Sequence, residues 1–173
     1  VGDRDLPELV PRGEGGDWSP ELVLPPSFWE MFGHGDDVAA EALALASAAR
    51  LAGEGIPSKP WLWVQDRTAL RLGGRPYRPG LPEALRQRLI HVAARTPEDA
   101  LFALEEGLRC RDLAFVIGEL AGNPKALSFT ASRRLSLAAE KHGVPLWLVR
   151  LDAARDLGSA RLRWEAKAAP SAP

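Results

Sequence analysis

Gly33-His34-Gly35-Asp36-Asp37 is a turn between an apolar stretch and an alanine- and leucine-rich segment. Phosphate-binding loops occupy this place. Their glycine backbone N–H groups face the anion at a helix N-terminus, and a lysine adds charge. Here no Lys-Ser or Lys-Thr pair follows, and Asp36 and Asp37 stand where the phosphate would lie. Two carboxylates repel a phosphate, whereas either one suits the N-cap of the following helix. Asp66 and Glu119 fall at or near strand ends, where α/β proteins often place functional carboxylates. They would need phosphate partners to make a useful magnesium site. Gly33, His34, Gly35, Asp36, Asp37, Asp66 and Glu119 therefore read as a degenerate nucleotide site. ATP with magnesium is not an expected ligand, and neither a catalytic residue nor a metal ligand is assigned.

The second candidate is Arg67, Arg71, Arg75, Tyr77 and Arg78. Arginines with an interleaved aromatic can grip phosphates and stack on bases. The same residue types are enriched in protein interfaces, and a solvated charged loop is the third reading. His34, His91 and His142 lack metal-ligand spacing and are expected at the surface or in caps. Cys110 is expected as a buried helix-end residue with no catalytic histidine beside it. No Gly-x-Ser-x-Gly elbow is present.

These residues need a frame. The chain has 173 residues, 46% hydrophobic and 26% charged, enough for one domain with a core. Its net charge of −1 exerts no global pull toward nucleic acid or membrane. Arginine outnumbers lysine 18 to 4, which fits either codon usage or anion contacts. One cysteine excludes an internal disulfide and suits a reducing compartment, so a cytoplasmic protein is expected. No apolar run reaches membrane-span length and the first residues are not a secretion signal. Val1 in place of Met leads us to expect a missing start or longer leader.

Apolar runs at residues 61–64, 113–117 and 145–151 alternate with helix-patterned segments, which predicts a parallel sheet with packed helices. Residues 112–120 read as the central strand, with Glu119 at its exposed end. Further strands are predicted near 27–32, 89–93 and 160–166, and helices over 38–52, 82–88, 96–109 and 128–142. Residues 67–82 read as a long loop with at most a short helical turn at 68–72. Residues 1–26 read as an extended arm, 27–167 as the domain, and 168–173 as a disordered tail.

The blocks Phe28–Phe32, Pro60–Asp66, Gly80–Glu83, Thr96–Leu120 and Arg133–Glu165 resemble ImuA, a RecA-like family of the SulA/RecA superfamily involved in bacterial damage-induced mutagenesis. Arg111–Leu120 and Ser159–Glu165 are the most distinctive blocks. The resemblance implies a three-layer RecA-like core of P-loop NTPase type with a degenerate phosphate loop. It implies a non-catalytic role in SOS-induced translesion DNA synthesis, through contacts with ImuB (a Y-family-like polymerase partner), an error-prone DNA polymerase subunit and RecA. The protein would join the nucleoid on DNA damage and meet DNA indirectly, since its counterparts of the DNA-contacting loops, Gly122–Ser128 and Asp152–Ser159, are short. A vestigial ATPase or nucleotide sensor and a SulA-like cell-division inhibitor are the alternatives.

Overall fold

The computed structural model describes residues 28–51 and 59–169. The expected arm over 1–26 and the tail beyond 169 lie outside the described residues. The strands are β1 (Phe28–Gly33), β2 (Trp61–Gln65), β3 (Leu89–Ala93), β4 (Val116–Ala121), β5 (Leu146–Leu151) and β6 (Leu162–Glu165). They form one sheet in the order β3-β2-β4-β5-β1-β6, and every neighbouring pair is parallel. The helices are α1 (Ala39–Leu51), α2 (Arg67–Gly73), α3 (Glu83–Arg86), α4 (Pro97–Arg109) and α5 (Phe129–His142). The result is a three-layer α/β core.

The unbroken apolar runs are explained by burial on both faces. Toward α4 and α5 the sheet presents aliphatic residues, among them Leu62, Val64, Val116, Leu120, Leu146 and Leu148. Toward α1 it presents aromatics. Trp29 stacks on Trp147 at 4.7 Å between centroids, and Trp61 on Phe115 at 5.0 Å. Ala40, Ala44 and Ala48 of α1 are fully buried against that aromatic layer, so the helix packs through its smallest side chains. Gly118 sits in the middle of β4 for a matching reason. A Cβ there would come within 2.9 Å of Leu104 and Leu148 side chains.

Local signals set the helix ends. Thr96 caps α4 by accepting from Asp99 N–H, with Pro97 following it. Ser128 caps α5 by accepting from Ala131 N–H, and Gly143 ends that helix at φ 70°. Two boundaries differ from expectation. The central strand begins at Val116, and the apolar Leu113–Phe115 leads into it. Residues 67–73 are helix rather than loop, because the Asp66 carboxylate caps the segment by accepting from Ala69 N–H at 2.7 Å.

Candidate functional site

The carboxyl ends of β1, β2, β4 and β5 converge on the turn after β1, as an open parallel sheet leads one to expect. Asp37 accepts from Ala39 N–H at 2.8 Å, which is the capping role, and its other oxygen accepts from Ala168 N–H at 2.7 Å. These bonds hold its carboxyl below the usual carboxylate range. The carboxylate inside the turn comes instead from Asp152, just after β5. It accepts from Gly35 N–H at 3.0 Å, while Asp152 N–H donates to Gly33 O. Asp152 adopts φ 50°, a left-handed conformation uncommon outside glycine and Asn/Asp. His34 lies 3.7 Å from the same carboxylate. A Cβ at Gly35 would meet Asp152 Oδ2 at 2.7 Å and Leu72 at 2.8 Å. Gly35 N–H therefore faces a carboxylate of the chain itself, with an α2 leucine packed beside the turn.

Asp66 and Glu119 do not form one acid site. Asp66 is buried and held as the cap of α2, with Oδ2 accepting from Ala121 N–H at 3.3 Å. Glu119 corrects the sequence expectation. It lies within β4 opposite Gln65 of β2, only 1% exposed, because the sheet continues past the apolar run to Ala121. Trp63 Nε1 donates to it at 3.1 Å and Gln65 Nε2 at 3.0 Å. Burial pushes its carboxyl up to about 7, against the lowering effect of the Gln65 bond, and the Glu41 charge adds to the rise. Glu41, in the first turn of α1, is also shifted upward, first by burial. One of its oxygens, Oε2, is buried with no hydrogen-bond partner among the described residues. Among the described residues no group of three or more His, Cys, Asp or Glu is arranged to hold a metal ion.

Beside this pair lies a pocket of about 380 Å³ between α1 and the chain after α2. Its lining includes Glu41, Trp63, Gly73, Arg75, Tyr77 and Glu119. The arginine cluster thus divides. Arg67 and Arg71 are exposed on α2, and Arg75 and Tyr77 stand at the pocket mouth, with Tyr77 74% exposed. Arg78 is exposed as well, and its Nη2 donates to Leu89 O at 3.0 Å, which ties the segment to β3. His91 is half-buried, with Nε2 2.8 Å from Gln65 Oε1. Burial and the charges of Arg75 and Arg78 lower its pKa. Cys110 ends α4 as expected but is exposed.

Sequence reasoning missed Glu41, which reads as an ordinary acid in a first helical turn. It also missed a network under the other face. Glu30 of β1 and Arg150 of β5 are both 1% exposed and lie 3.4 Å apart. Arg163 Nε donates to Glu30 at 2.8 Å, and Arg150 Nη2 donates to Gly122 O at 3.1 Å. Asn123 bonds Ala154 in both directions and donates to Asp156 at 2.8 Å. The short segments 122–128 and 152–159 are thereby braced against each other. The available signal was a charged residue inside each of two apolar strands.

No family model matches the chain, and it has no match among curated proteins. Among solved structures it is similar to SulA from Pseudomonas aeruginosa, at 25% identity over 73% of this chain and 99% of that one, with a TM-score of 0.49. At that level of superposition the likeness assigns neither fold family nor function. Among the described residues no helix is long and apolar enough to cross a membrane.

Proposed function

We propose that the chain is a RecA-like module of P-loop NTPase type that works without nucleotide hydrolysis. In this reading it is a cytoplasmic, ImuA-like accessory protein of mutagenic translesion synthesis that meets ImuB, an error-prone polymerase subunit and RecA, with DNA contacted indirectly. Support for the non-catalytic half is the Asp152 carboxylate on Gly35 N–H, inside the turn where a phosphate would bind. The observation that carries the partner half is the exposed face of Arg67, Arg71, Arg75 and Tyr77. Among the described residues, none of those arginines forms an ion pair. Arginine and tyrosine left without internal work suit a protein interface, and the near-zero net charge favours protein over DNA.

The test is capture of bound proteins from cells treated with a DNA-damaging agent, using the intact chain as bait. Recovery of ImuB with the polymerase subunit supports the reading. Recovery of a cell-division protein in their place would move it to a SulA-like inhibitor. Calorimetry with ATP and magnesium separates the nucleotide-sensor alternative: micromolar affinity would contradict the filled turn.

A further inference from the structure

The pocket between α1 and residues 73–81 has features that the proposed partner surface does not use. Glu41 and Glu119 come close together at its base: an ideal Cβ at Gly73 would stand 3.4 Å from Glu119 Oε1 and 3.7 Å from Glu41 Oε1. The Glu119 oxygens already accept from Trp63 and Gln65. Glu41 differs, since its Oε2 is buried and accepts nothing. An unmade bond on a buried carboxylate oxygen is costly, and Glu41 is also a lining residue of the pocket, with Oε1 beside Gly73. Trp63 and Tyr77 supply aromatic surface, and about 380 Å³ is enough for a small ligand or one long side chain. Arg75 is the cation among the lining groups, yet it forms no ion pair with either carboxyl.

We propose that this pocket binds a guanidinium group, which pairs with Glu41 between the Trp63 and Tyr77 side chains. A guanidinium offers two parallel N–H donors to one carboxylate, stacks on aromatic faces and is more weakly hydrated than an ammonium. It would also offset the Glu119 carboxyl, the second acid among the lining residues. The group can come from an arginine side chain of a protein or from a free small cation, and two probes distinguish them.

The experiment follows the Trp63 indole N–H and Gln65 side-chain amide by NMR at pH 8, with capped arginine (N-acetyl-arginine N-methylamide) and agmatine titrated separately. Saturable shifts at both groups are expected. A response to capped arginine alone assigns a protein side chain, and a response to agmatine alone assigns a free cation. Responses to both assign the guanidinium itself. Glu41→Gln should weaken binding by about tenfold or more. Tyr77→Ala, at an exposed position that leaves folding intact, should weaken it severalfold, and Arg75→Gln should hold or tighten it. The proposal is overturned by no saturable shift with either probe, by full-strength binding to both the Glu41 and Tyr77 variants, or by loss in the Arg75 variant, which would mark an anion site. Because the probes are small molecules, such a failure would leave the partner surface standing.

Discussion

At the residue scale, Glu119 sets the pH response. Its folded carboxyl titrates near 7 against an ordinary value of 4.5. Between those values the native state holds a proton that the unfolded chain has released. Stability therefore falls as pH rises through the window, and levels off above it. The span corresponds to roughly 3 kcal/mol. Glu41 acts in the same direction, and His91, whose pKa is lowered, opposes them. Glu119→Gln keeps an oxygen for Trp63 and Gln65 and removes the titration. Denaturant melts from pH 5 to 8 should show the parent losing stability relative to this variant by about that amount. Parallel profiles would contradict the burial assigned to Glu119. The sequence singles out Glu119 as a site carboxylate but misplaces it at an exposed end. Its donors Trp63 and Gln65 lie more than fifty residues away, and only sheet register brings them opposite it.

At the element scale, the strands and their parallel arrangement were legible because doubly buried strands write continuous apolar runs and helix caps write local motifs. Residues 67–73 were less legible. A charged segment between Asp66 and Gly74 carries little apolar periodicity, and its helix depends on one cap and on burial of Ala69. The start of β4 was blurred because Leu113–Phe115 is as apolar as the strand it leads into. Phe115 still belongs to the core, 1% exposed, stacked on Trp61 and edge-on to Trp147. Phe115→Ala leaves a cavity in that aromatic layer and should cost ~3–5 kcal/mol in a denaturant melt. A midpoint unchanged from the parent would contradict the packing. The filling of the turn after β1 could not be read from the sequence. Asp152 reaches Gly35 across 117 residues, and nothing near either residue announces the bond.

At the scale of the whole molecule, one sheet separates two kinds of work. On its aliphatic side, the Glu30–Arg150–Arg163 network and Asn123 brace the two short segments beyond β4 and β5. On its aromatic side, α2 and the chain after it carry the arginines and Tyr77 over the Glu41–Glu119 pocket. The central claim is that this second surface meets a protein partner. Arg78 is kept in the test because it ties the segment to β3. Arg71, Arg75 and Tyr77 are replaced together by Ala, the melt is checked against the parent, and binding to purified ImuB is measured. The account predicts an unchanged melt and a loss of ~2 kcal/mol or more of binding energy, as for a true hot spot. Undiminished binding to ImuB by the folded triple variant would contradict it.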